Sequence, residues 1–235
     1  MKYKSNRNLL LEISVETFEA AMAAERGGAD RIELCADLHH GGVTPSISLM
    51  RIVRKQLHLP IFVMIRPRAG DFVYSRTELA VVQRDIQVAK DQGMKGVVLG
   101  LLKRDNSIDI ERTRELVELA HPLPVTFHRA FDISGDLLTS LEDVVQTGVM
   151  RVLTSGGARS APEGLAALAG LVQAARERTT IVPGAGINSD NILRVARETG
   201  AREFHSGLST SLPHPRKKYE AFELQVRELS RLIRS

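Results

Sequence analysis

Tryptophan is absent from this sequence, and cysteine occurs once, at Cys35. One thiol forms no internal disulfide, which excludes a disulfide-framed secreted domain. Aromatic residues make up only 4% of the 235 positions, so the core must be assembled from Leu, Val, Ile and Ala. Long apolar runs are also missing. The run Leu9-Leu10-Leu11 meets Glu12 at once. Behind a polar, basic opening segment, that is too short for a signal-peptide core. No stretch reaches the length that spans a bilayer. Charge is nearly balanced, with 32 Lys and Arg against 28 Asp and Glu for a net +4. Its one dense basic cluster is Arg216-Lys217-Lys218. Nucleic-acid binding calls for a basic stripe interleaved with aromatics; this cluster reads instead as a solvated helix entrance. The expectation is a cytoplasmic protein with neither membrane nor nucleic acid as a partner.

What the sequence does have is one pattern repeated. A short apolar run is followed by a longer segment with helical spacing, eight times over. The strand candidates are residues 9–14, 30–35, 60–66, 96–100, 124–129, 151–155, 180–183 and 203–206. Helices are expected to begin near Val15, Ser48, Thr77, Ile110, Gly135, Pro162, Ser189 and Lys218. Strict alternation implies parallel strands, because each crossover needs a helix. Eight units of about 29 residues suit a minimal closed barrel, so the reading is α/β, a single (β/α)8 TIM barrel over residues 1–235. Ser14 is a candidate cap for the first helix. Ser160-Ala161-Pro162-Glu163 reads as a capping box with Pro in the first turn. Gly27-Gly28, Gly93, Gly148 and Gly200 fall where helices should stop. An open doubly wound sheet is the alternative, but it would carry a Gly-rich fingerprint after strand one, where this chain has Glu12-Ile13-Ser14.

Side chains alternate along a strand, and the aliphatic positions should face the helices. Ile32 and Leu34 then face out, which turns Glu33 inward with Cys35 one step above. The same test turns Glu12, Arg66, Thr126, His128 and His205 inward, and Thr154 is the inward residue expected of strand six. One ring at the C-terminal mouth would hold Glu12, Glu33, Arg66, His128, Thr154 and His205. A barrel core without a function fills such layers with branched apolar residues, so this convergence marks a candidate site. An internal Glu33–Arg66 ion pair is the plainer reading of that pair alone. The loops after strands six, seven and eight add Ser155-Gly156, Gly184 with Gly186, and Ser206-Gly207. Barrels often seat a phosphate on such loops, where glycines let backbone N–H groups approach the anion; tight turns that need glycine are the simpler account.

At these motifs the chain resembles the CutC family of copper homeostasis proteins. The matching segments are Arg31-Ile32-Glu33-Leu34-Cys35, Gly41 to Ser46, Ile65 to Arg68 with Gly70 to Ser75, Thr126 to Asp132, Arg151 to Gly156, Pro183 to Gly186, and His205 to Gly207. They occur in order across nearly the whole chain. The resemblance implies a cytoplasmic barrel that binds or handles copper. Two places depart from it: the Asp37-Leu38-His39-His40 loop is variable in the family, and the segment from Leu208 to Lys217 is short beside that of some members.

Two functions follow. In the first, the chain binds copper as a homeostasis protein without catalysis, and Cys35 is the metal ligand. Cu(I) prefers thiolate or thioether donors and Cu(II) prefers imidazole. Cys35 with His39 and His40 is the one local group of such donors, and a buried thiol beside two idle loop histidines is the plainer account of it. In the second, the chain is an enzyme acting on a small anionic or phosphorylated substrate. The glycine loops hold the anion and Arg66 and Arg68 clamp it. Glu12 or Glu33 works with His128 or His205 as acid and base, and Asp132 orients a partner. No inward Lys stands at a strand end, which argues against a Schiff-base aldolase. Strand one has no His-x-His pair, which argues against a binuclear metal hydrolase, while a single-metal site of Glu and His remains open. Self-association of identical copies is left open.

Overall fold

A computed structural model of the chain describes residues 9–208 and 219–234. Eight strands are present: β1 (Leu10–Val15), β2 (Arg31–Leu34), β3 (Ile61–Met64), β4 (Gly96–Leu99), β5 (Val125–Phe127), β6 (Arg151–Thr154), β7 (Thr180–Pro183) and β8 (Glu203–Ser206). They alternate with α1 (Phe18–Gly27), α2 (Ile47–Gln56), α3 (Arg76–Asp91), α4 (Ile110–Ala120), α5 (Leu137–Gln146), α6 (Leu165–Ala175), α7 (Ile192–Thr199) and α8 (Tyr219–Arg234). All ladders are parallel, in the order β7-β6-β5-β4-β3-β2-β1-β8. The two end strands come together at Gly184, where an added Cβ would lie 3.4 Å from the Cβ of His205. The result is the nearly closed (β/α)8 barrel that the alternation predicts. None of the described helices is long and apolar enough to cross a membrane.

The apolar layer between strands and helices contains Leu11, Ile13, Ile32, Leu34, Val63, Ile65, Val125, Phe127 and Phe204, as strand parity requires. Gly28, Gly93, Gly148 and Gly200 all take positive φ at helix ends, the conformation that favours glycine there. Two expected caps are corrected. Thr17, not Ser14, caps α1 by accepting from the Ala20 N–H, because β1 runs on to Val15 and leaves Ser14 inside it. The segment Ser160-Ala161-Pro162-Glu163 precedes α6 as a turn, closed by a Ser160–Glu163 side-chain hydrogen bond of 3.1 Å. Gly164 occupies the cap position, since a Cβ there would collide with the Ser155 carbonyl. Strand six is corrected too. Val152 packs in the outer layer while Leu153 lines the mouth, so Arg151 and Leu153 point inward and Thr154 does not. The basic cluster at residues 216–218, the expected helix start at Lys218 and the end of the loop at residues 206–211 lie outside the described residues.

Candidate functional site

The site begins with register. Glu12 on β1 is level with Arg31 on β2 and with His205 on β8. Parity turns all three inward, so an acid sits between two bases. Glu12 accepts from Arg31 Nε through Oε2 and lies 2.8 Å from His205 Nδ1 through Oε1. Arg31 also reaches Glu203, at 2.8 Å, and Arg151 meets the same Glu203 carboxylate at 2.9 Å. Both guanidinium groups stack on the Phe62 ring, at 4.8 and 5.2 Å. One strand step above Glu12, Ser14 pairs with Glu33, and Glu33 Oε2 lies 3.7 Å from His205 Nε2. The same oxygen accepts from Cys35 Sγ at 3.4 Å.

Glu12, Arg31, Glu33, Cys35 and His205 are buried and Arg151 and Glu203 partly so, so their charge states depend on their neighbours. Burial alone would raise Glu12, but Arg31 and His205 outweigh it and hold the acid down at about 2. Burial opposes a charged His205, yet Glu33 and Glu12 raise its pKa above the usual value. Glu33 is itself raised, chiefly by burial, with His205 offsetting part of that and Glu12 adding to it. Cys35 is pushed well up by burial and by the Glu33 charge. The arrangement is therefore an anionic Glu12, a histidine biased toward its cation, and a carboxyl and a thiol biased toward holding their protons.

Above the cluster a cavity of about 600 Å³ opens at the C-terminal mouth. Of the residues that the sequence assigns to the site, Glu33, Arg66, His128, Asp132, His205, Gly186 and Gly207 line it. Glu12 and Cys35 are buried and do not line it. Arg66 does not pair with Glu33. Its NH1 donates to the His40 and Gly42 carbonyls at 3.0 Å each and its NH2 to the Gly70 carbonyl at 2.7 Å, which ties together the loops after β2 and β3. His128 accepts from the Ala130 N–H through Nδ1. Burial first, and then the nearby Arg66 charge, lower it to about 3, so it is a neutral imidazole. Gly100 makes room for that ring, since a Cβ there would lie 2.5 Å from Nδ1.

Arg68 stands apart from the cavity. It bonds to Glu78, to Asp71 at 2.9 Å and to the Val73 carbonyl at 3.0 Å, so it fastens its own loop and does not act as a clamp. The glycine loop after β6 is also already occupied, by the protein's own carboxylate. Asp132 Oδ1 accepts from the Ser155 and Gly157 N–H groups at 2.9 and 3.1 Å and from Thr154 Oγ1, and Oδ2 accepts from Ser155 Oγ at 3.0 Å. The Gly156 N–H donates to Thr154 Oγ1, and the Gly184 N–H donates to the Thr154 carbonyl. Ser206 is buried and donates to the Ile187 carbonyl at 2.7 Å. Ser155, Gly156, Gly184 and Ser206 thus serve the fold, and Gly186 and Gly207 remain on the cavity wall.

Among the described His, Cys, Asp and Glu side chains, Glu12, Glu33 and His205 form the group able to hold a metal ion, with ligand atoms within 4.8 Å of one another. The expected partners of Cys35 do not join it: His40 turns to Asp37 at 2.8 Å and stacks on His39. Met64 is nearer, because an added Gly42 Cβ would lie 3.3 Å from Cys35 Sγ and 3.4 Å from Met64 Cε. Sequence reading passed over Arg31, Arg151 and Glu203. For Arg31 the signal was available, since it shares the parity of Glu33.

The model of the CutC family matches residues 9–210. The human copper homeostasis protein cutC homolog is 47% identical over 196 residues, covering 83% of this chain and 72% of its own. The solved structure of CutC from Streptococcus agalactiae superposes with a TM-score of 0.80 at 32% identity, covering 84% and 98% of the two chains. Thiamine phosphate pyrophosphorylase from Pyrococcus furiosus, at 17% identity and a TM-score of 0.63 over 97% and 96% of the chains, shares the fold alone. By family model, sequence relatives and structure together, the chain belongs to the CutC family.

Proposed function

We propose that this chain serves copper homeostasis in the cytoplasm by taking copper as cargo beneath the barrel mouth. Glu33 and His205 Nε2 are the ligands that stand together, Cys35 Sγ joins them from the Glu33 side by a side-chain shift, and Glu12 orients His205. The observation that carries the reading is the spacing around Glu33 Oε2, which is 3.4 Å from the thiol and 3.7 Å from the imidazole nitrogen. Two donors each about 2.1 Å from one ion are separated by about 3.4–3.7 Å at angles near tetrahedral or trigonal. Glu33 Oε1 is buried with no hydrogen-bond partner, which fits a carboxylate that meets a cation. The donor set mixes a thiol with an imidazole and a carboxylate, which suits copper in either oxidation state. The Glu12–His205 hydrogen bond is the support a ligating histidine usually has. Cys35→Ser should weaken Cu(I) binding in a competition titration by more than tenfold, about 1.4 kcal/mol. Equal affinities for variant and parent would remove Cys35 from the site.

A second reading is an enzyme acting on a small anionic substrate by acid–base chemistry at the same mouth. It is favoured by the cavity of about 600 Å³, which far exceeds an ion and has Glu33 and His205 in its wall. In that case Arg66, and not the loop after β6, meets the substrate's charge.

A further inference from the structure

Two N–H groups on the β3–β5 side of the cavity have no acceptor. Arg66 commits its terminal nitrogens to three loop carbonyls, and its Nε is buried without a partner. His128 Nε2 is likewise buried and unpartnered. Its proton is on that nitrogen, because the Ala130 N–H needs the lone pair of Nδ1. Both residues are only 4% exposed, and both line the cavity. The Phe72 ring packs against the two of them, 4.8 Å from Arg66 Cζ and 4.8 Å from the His128 ring centre. Buried donors are almost always satisfied in a folded protein, so a pair left open beside one ring points to an absent acceptor.

The chemistry of that acceptor is constrained. One donor is cationic and the other neutral, which matches a planar group with two oxygens and one negative charge. A phosphate dianion asks for more donors, and the N–H groups of the loop after β6 are already taken by Asp132. Asp132, which lines the same cavity, also disfavours a second negative charge. The cavity lining also includes the apolar Met64, Ile133 and Leu153, which suits a short carbon chain. We propose that the β3–β5 wall is a carboxylate subsite. There, His128 Nε2–H and Arg66 Nε–H donate to the carboxylate of a small organic acid, and its carbon chain lies against Phe72. Neither nitrogen reaches solvent, so the ligand enters as the Phe72 ring turns aside. The subsite goes beyond the copper reading and stands whether or not Cys35 holds metal.

The test uses the full chain with histidine labelled in the ring, titrated with acetate, propionate, succinate and benzoate, with the matched amides, and with inorganic phosphate. At least one acid should move the His128 Nε2–H resonance in a saturable way, and its amide should bind at least tenfold more weakly. His128→Asn keeps an acceptor for Ala130 but loses Nε2–H. That variant should bind the same acid at least tenfold more weakly while its Cu(I) affinity equals the parent's. No saturable shift with any acid, equal binding of acid and amide, unchanged binding by the variant, or a response to phosphate alone would each overturn the proposal. Loss of Cu(I) affinity in His128→Asn would overturn the separation of the two sites.

Discussion

His128→Asn also tests whether His128 is held neutral, through the dependence of stability on pH. In the folded chain this histidine titrates at about 3 against an ordinary 6.5, because burial and the Arg66 guanidinium both oppose its charge. The unfolded chain therefore takes up a proton near pH 6.5 that the folded chain refuses until about pH 3. Acidification favours the unfolded state across that window, and the stability is lost as pH falls below 6.5. Between pH 7 and pH 5 the loss from this one group is about 2 kcal/mol. Other groups titrate as well. His205, whose pKa is raised, contributes with the opposite sign, since its stabilisation is present at low pH and lost as pH rises. Glu12 stays ionised throughout, held at about 2. These terms are common to parent and variant and cancel in the difference.

The assay is urea denaturation of parent and His128→Asn at pH 7 and pH 5, compared as extrapolated free energies. The parent should lose about 2 kcal/mol more than the variant over that interval, equivalent to about 4–8 °C in melting temperature for a chain of this size. If the two proteins lose the same stability, His128 is not kept neutral by its surroundings. The assignment of its proton to Nε2, and with it the donor pair beside Phe72, would then fall.

Asp132→Ala should cost about 3 kcal/mol in urea denaturation, because it strands the Thr154 hydroxyl and the Ser155 and Gly157 N–H groups together; a loss under half of that would show that water replaces the carboxylate easily. Gly184→Ala places a methyl group 2.5 Å from Leu153 Cδ1 and should destabilise by about 1–3 kcal/mol through overpacking, measured as a lowered melting temperature; an unchanged value would mean that β7 and β8 have slack where they meet.

Strand parity was readable on β1, β2, β3, β5 and β8, because there the outward residues are mostly apolar and at least one polar residue marks the inward face. On β6 the contrast fails: Leu153 points into the mouth and Thr154 away from it, each against its type. Thr154 finds its partner in Asp132, which comes from the preceding unit, and nothing in the local sequence signals that. The same long-range contact defeats the reading of Ser155-Gly156 as an anion cradle. The glycines do bend the chain to present N–H groups, but the anion they present them to is the protein's own. Arg66 was correctly turned inward, yet parity fixes only the direction of a side chain. It does not reveal that the carbonyls of His40, Gly42 and Gly70 are closer partners than Glu33. Cys35 was placed one step above Glu33, and its contact with Glu33 follows from that. Its separation from His39 and His40 follows from the loop, where Asp37 and Gly41 take positive φ and carry the two imidazoles to the surface.

The layer below the mouth explains why so many charges are tolerated in one barrel. Arg151, Glu203, Arg31, Glu12, His205 and Glu33 form a chain of contacts in which the sign alternates at every step. Each charge but the last has an opposite charge in hydrogen-bond contact on another strand, so burial is compensated pair by pair. Glu33 ends the chain beneath the cavity. It has one oxygen near His205 and Cys35 and the other without a partner, and its raised pKa reflects that incomplete compensation. A barrel stabilised for its own sake would fill this layer with branched aliphatic side chains. Here the network leaves its deficit at a single carboxyl group, facing the cavity, where a metal ion or a substrate proton can make it good.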